Sequence, residues 1–131
     1  MKQITKEWLR TAKDDLDVIE KIIQDQHLSH VVAFHSQQCI EKVFKAIIEE
    51  FELGFVKIHS IMRLHNIVKN YISIGIDDTI LEKLDKLYVD SRYPGDLGLL
   101  PNGKPSSEDA KEFLNVAQEI YTAIKLFLEK R

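Results

Sequence analysis

Chemistry is concentrated in one stretch, Leu84-Asp85-Lys86-Leu87-Tyr88-Val89-Asp90-Ser91-Arg92-Tyr93-Pro94-Gly95-Asp96. It gathers two tyrosines, an arginine and three acids at the end of a helix and its exit. Arg92 suits a phosphate, because a planar guanidinium donates two parallel hydrogen bonds. Tyr93 adds a flat stacking face and a hydroxyl. Pro94 disfavours helix at Tyr93 and so stiffens the turn. The competing reading is a helix end whose arginine satisfies the last carbonyls. A second cluster lies in Gln37-Gln38-Cys39-Ile40-Glu41-Lys42-Val43-Phe44-Lys45-Ala46. There Glu41 and Lys45 stand four apart on one helical face, in the favourable order for an ion pair. Taken alone, that spacing also describes an ordinary surface pair.

Other chemistries fail on spacing. Di-iron bundles need Glu-x-x-His pairs, and none of the five histidines (His27, His30, His35, His59, His65) has a glutamate three residues before it. No metal site and no cofactor is expected. Gly98-Leu-Leu-Pro-Asn-Gly103-Lys104 has the glycine and lysine spacing of a phosphate loop. However, Pro105 replaces the magnesium-binding hydroxyl residue and no strand precedes it. A turn at Asn102-Gly103 feeding a helix is the simpler reading. Cys39 falls mid-helix near a buried face, where a thiol behaves as a small apolar group. From Leu53 to Ile76 there is no acid, while Lys57, Arg63 and Lys69 add three positive charges. In a chain of net charge −3 the remainder then carries −6. A phosphate-facing surface and a merely solvated helix face both fit that segregation.

Helices must position these groups. Trp8, Ala12, Leu16, Ile19 and Ile23 recur at three and four, with Thr5 as N-cap. Ala33, Gln37, Ile40, Phe44, Ile47 and Phe51 make a second stripe behind Ser29, and Gly54 follows its end. Ile61, Leu64, Val68 and Tyr71 form a third behind Ser60, and Ile80, Leu84, Leu87 and Tyr88 a fourth behind Asp77 or Asp78. The fifth opens at Ser106 or Ser107 and carries Ala110, Phe113, Ala117, Ile120, Ile124 and Phe127. No segment alternates apolar and polar residues, so the fold class is all-α, an up-and-down bundle of about five helices. Between Arg92 and Pro105 lie all three prolines and three of the five glycines, a long loop before the last helix.

With 131 residues the chain fits one domain, residues 1–131. Apolar residues at 44% supply a core, and charged residues at 30% supply a solvated surface. The balance of 18 basic against 21 acidic residues argues against an overall electrostatic clamp on nucleic acid. One cysteine cannot make an intrachain disulfide. The first residues contain no apolar signal core, and no apolar run approaches a membrane span. A cytoplasmic domain is expected.

At Gln38 to Lys42, Lys45-Ala46, His65-Asn66-Ile67, Tyr88 to Pro94 and Ser106 to Ala110 the chain resembles the HEPN domain family, over nearly its whole length and in the expected order. The resemblance implies a helical bundle that commonly dimerises. It also implies a frequent partner, a minimal nucleotidyltransferase paired with the HEPN protein as toxin and antitoxin. Many members are metal-independent ribonucleases. Their motif places a histidine four to six residues beyond an arginine, often with a Glu-x-x-x-Lys on an earlier helix. Glu41 and Lys45 match the second element and Arg92 begins the first. Positions four to seven beyond Arg92 are Asp96, Leu97, Gly98 and Leu99, and no histidine follows anywhere. The acid–base group for attack by an RNA 2′-hydroxyl is missing from the motif. The expected function is therefore a catalytically degenerate module binding a nucleotide or phosphate-bearing ligand through Arg92, Tyr93, Glu41, Lys45 and His65, working with a nucleotidyltransferase. The alternatives are an active ribonuclease toxin using another histidine, such as His65, and a dimerising scaffold without ligand.

Overall fold

The computed structural model describes residues 1–54 and 57–131. Five α-helices follow in order: α1 (Gln3–Ile22), α2 (Ser29–Glu50), α3 (Ile61–Val68), α4 (Asp78–Arg92) and α5 (Ser107–Glu129). A short 3-10 turn, Gln26–Leu28, leads from α1 into α2. No strand occurs among the described residues, only an isolated bridge between Gly95 and Gly98.

α2 is the central helix and packs against each of the other four. Its sequence explains that position. Apolar residues surround most of its circumference, and Val32, Ala33, Cys39, Ile40, Val43, Phe44, Ala46, Ile47 and Ile48 are all buried. The outer helices bury one face each: Leu9, Ala12, Leu16 and Ile19 on α1, Leu81 and Leu84 on α4, and Ala110, Phe113, Ala117, Ile120 and Ile124 on α5. Truncating a fully buried ring such as Phe44 would cost about 3–5 kcal/mol, the combined loss of transfer energy and packing.

Several helix ends differ from the spacing-based reading. α1 begins at Gln3, two residues before the expected cap. Thr5 is instead wholly buried, and its hydroxyl donates to Glu50 at 2.9 Å, where the carboxylate also accepts from the Lys2 amide. Leu28, not Ser29, precedes α2. α3 stops at Val68, so Tyr71 lies outside it and is 43% exposed. On α4 the buried position is Leu81, while Ile80 and Leu87 are only partly covered. Ser60, Asp77 and Ser106 do cap their helices, Ser106 in a reciprocal capping box with Asp109. The turn before α5 is present, with the Gly103 amide donating to the Leu100 carbonyl at 2.8 Å and Gly103 at φ +81°.

One cross-link fixes α3 to α4. The Asp85 carboxylate accepts from the Ser60 hydroxyl at 2.8 Å and from the amides of Ile61 and Met62 at 2.9 and 3.1 Å. It thereby serves the first-turn donors of α3 from a neighbouring helix. The residue before this junction is His59.

Candidate functional site

Glu41 is the buried anchor of the site, and 5% of it is exposed. Its Oε2 accepts from Lys45 Nζ at 2.8 Å, one helical turn on, and lies 3.3 Å from Nδ1 of His59. Its Oε1 accepts from Nε2 of Gln37 at 3.3 Å. The same Gln37 nitrogen donates to the His59 carbonyl at 2.8 Å. His59 is thus held on two sides. Gln37 ties its backbone to α2, and Asp85 pins the next residues to α4. This explains a polar residue on the buried stripe of α2: Gln37 is fully buried because both of its donor bonds are made inside.

His59 reaches α4 through Tyr88. The two rings stack with centroids 6.3 Å apart, and Phe34 of α2 stacks on the same tyrosine at 5.9 Å. Arg92 completes the chain of contacts. Its guanidinium carbon sits 5.2 Å from the Tyr88 ring centroid, and its Nη1 donates to the Tyr88 hydroxyl at 3.2 Å. Positions 88 and 92 are one turn apart on α4, so helix geometry alone delivers this pair. Burial raises the Tyr88 hydroxyl above its ordinary value, with the Arg92 charge opposing and Glu41 assisting. The phenol therefore stays protonated and neutral. Arg92 itself is exposed, and one bond to a phenol leaves most of its five donors for an anion.

A groove of about 360 Å³ opens beside Arg92, lined also by His30, Val31, Phe34 and Ser91. Nδ1 of His30 is buried there with no partner among the described residues. Burial lowers the His30 pKa, and the charges of Lys104 and His27 act in the same direction.

The sequence-derived candidates divide. Glu41, Lys45 and Arg92 join one continuous cluster through His59 and Tyr88. Tyr93 is 61% exposed at the C-cap of α4, and Arg92 stacks on Tyr88 rather than on it. His65 takes other partners, Asp78 at 3.3 Å and the Phe44 ring at 5.8 Å, and none of its contacts reaches Glu41, Tyr88 or Arg92. Lys104 donates to Nδ1 and the carbonyl of His27 at 2.9 and 3.1 Å. His59, Tyr88, Phe34 and His30 are the members that spacing did not single out. The tyrosine had a signal, its position four before Arg92; His59 had only its place in the stretch without acids, and His30 had none. Cys39 is wholly buried and burial drives its thiol pKa far up, which makes it inert. Among the described residues no group of three or more His, Cys, Asp or Glu side chains converges as a ligand set for a metal. Among the described residues no helix is long and apolar enough to cross a membrane.

Fold and site together define a five-helix bundle whose polar cluster lies where α2, the segment before α3, and the end of α4 meet. The sequence profile of the HEPN domain matches residues 5–127, and the chain belongs to the HEPN family. A relative from Methanocaldococcus jannaschii named "Putative toxin MJ1304" is 31% identical over 142 residues, spanning 95% of this chain and 88% of its own length. The crystal structure of ST0689, an archaeal HEPN homologue, superposes with a TM-score of 0.66 at 28% identity, covering 95% of this chain and 97% of the other.

Proposed function

We propose that this HEPN domain binds a nucleotide or another phosphate-bearing ligand at Arg92, as one half of a toxin–antitoxin pair. The observation that carries the reading is the pose of Arg92. An exposed guanidinium is braced against the ring and hydroxyl of a buried tyrosine, so its fork is oriented before a ligand arrives. Glu41 and Lys45 support the brace through His59, and Tyr93 stands exposed beside it as a surface for a base. The toxin named among the relatives supports the setting. Family membership supports a cytoplasmic homodimer, each chain a single domain, working with a minimal nucleotidyltransferase.

Calorimetric titration with AMP, ATP and a short oligonucleotide tests the claim. Arg92→Ala should weaken binding about tenfold to a hundredfold, since charge-assisted hydrogen bonds contribute about 1.5–3 kcal/mol each. Arg92→Lys should rescue it poorly, because the charge returns without the fork. No binding by the wild type at millimolar ligand would end the nucleotide reading.

A second reading is favoured by one observation. Two imidazoles flank the Arg92–Tyr88 pair, His59 stacked on Tyr88 and His30 lining the groove with Arg92. Either supplies an acid–base group of the kind the linear motif lacks. Cleavage of single-stranded RNA in the presence of a chelator, abolished by Arg92→Ala and by His59→Ala or His30→Ala, would establish a ribonuclease toxin.

A further inference from the structure

We infer that the pocket beside Trp8 is a second subsite of the same site, taking the neighbouring nucleotide of a single-stranded nucleic acid whose phosphate lies at Arg92. The inference rests on the reading of Arg92 given above. The pocket encloses about 250 Å³ between α1, α2 and the segment before α3. Among the described residues its lining is apolar at Trp8 and Ile48 and basic at Lys45, Lys57 and His59, with Glu49 as the one acid. An aromatic face with lysines beside it is the pattern that holds unpaired bases and their phosphates. A volume below the usual range for drug-sized ligands suits part of one nucleotide better than a folded element of a partner.

Three further observations point the same way. Trp8 is only partly buried, and Lys45 Nζ sits 5.6 Å from its ring centroid, so the aromatic face is already aligned with a cation. The indole Nε1 is buried with no partner among the described residues, whereas a buried indole N–H usually finds an acceptor. Lys57 and His59 come from the stretch without acids, so the fold places two members of that segregated positive segment against the tryptophan. The surface it forms is local, which reconciles it with an acidic chain.

Continuity with Arg92 selects the ligand. His59 lines the Trp8 pocket and also stacks on Tyr88 at 6.3 Å, and Tyr88 carries Arg92 at 5.2 Å. The His59 imidazole and the Tyr88 ring therefore separate the two subsites. A mononucleotide fills one of them; a single strand of a few nucleotides spans both. A duplex, with its bases stacked inside, cannot present a base to the pocket.

Trp8 is the only tryptophan in the chain, so its emission reports this pocket alone. The test titrates an adenosine tetranucleotide, AMP and tetraglutamate into wild type, Lys57→Ala and Arg92→Ala, reading Trp8 fluorescence and calorimetric affinity. The tetranucleotide should quench Trp8 saturably, and AMP should bind without quenching. Lys57→Ala should weaken the tetranucleotide about tenfold and leave AMP unchanged. A tetranucleotide that binds without altering Trp8 emission, and equally to Lys57→Ala, overturns the subsite while the Arg92 reading stands. Quenching sensitive to Lys57→Ala but indifferent to Arg92→Ala, with no AMP binding, supports the pocket and overturns the Arg92 reading. Tetraglutamate quenching as strongly as the oligonucleotide overturns the nucleic-acid assignment. Failure of both nucleotide ligands to bind overturns both.

Discussion

Asp15 and Glu41 each hold a lysine and an imidazole, yet the two trios are built to opposite ends. Asp15 of α1 accepts from Lys42 at 2.8 Å and lies 2.9 Å from Nδ1 of His35, both on α2. Glu41 pairs with Lys45 on its own helix and with His59 from the segment before α3. The carboxylates are equally enclosed, with 8% and 7% of their side chains exposed. The imidazoles are not: 23% of the His35 side chain is exposed against 64% for His59. His35 is sandwiched in the α1–α2 seam and stands edge-on to Phe34 at 5.2 Å. The first trio bolts two helices together, and its groups are consumed by one another. The second fixes a ring at the surface, with one edge on a buried carboxylate, one face on Tyr88 and the remainder open. Chemical composition does not separate a structural ion cluster from a functional one. What separates them is whether every member comes from a regular element whose faces are packed.

The contrast is sharpest in stability. Asp15→Ala should cost about 3 kcal/mol, because it strands the largely buried Lys42 ammonium without its counter-charge and the His35 imidazole without its hydrogen-bond partner. A urea midpoint that hardly moves would mean that the closed trio does not hold the seam. Glu41→Gln keeps the shape and loses the charge, and should cost less, about 1–2 kcal/mol. His35→Ala should remove about 1 kcal/mol and leave ligand binding intact. His59→Ala should remove less than about 0.5 kcal/mol and weaken nucleotide binding several-fold. Measured by denaturation and calorimetry, an inversion of those two histidine results would overturn the division of roles.

The smallest expected effect is in pH dependence. Burial depresses the His30 pKa below 6.5, so the folded chain binds its proton less readily than the unfolded one. Stability from this group is complete above about pH 6.5 and is lost as the pH falls below it towards the folded-state value. His30→Gln should flatten the slope of stability between about pH 7 and 5. An unchanged slope would mean that the imidazole beside Arg92 is solvated.

Much of the arrangement was legible in residue order. Helix number, the cap at Ser60, caps narrowed to Asp77 or Asp78 and to Ser106 or Ser107, the burial of Cys39 and the loop before the last helix followed from apolar spacing and turn residues. The misreadings cluster at helix ends. Thr5 has the chemistry of a cap but spends its hydroxyl on Glu50, forty-five residues away. Ile80 and Leu81 are equally good apolar candidates, and only the approach of α4 to α2 decides which is covered.

The candidate site divides along the same physical line. Pairs one turn apart, Glu41 with Lys45 and Tyr88 with Arg92, were determined by sequence alone, since the helical repeat forces them together once each helix exists. Everything joining the two pairs was decided by tertiary structure. His59 meets Glu41 across 18 residues because Gln37 and Asp85, on two different helices, hold the chain on either side of it. His65, equally plausible in the sequence, is turned towards Asp78 and Phe44 instead. Local periodicity carries information over about a turn, whereas the choice between two histidines six residues apart depends on how three helices pack.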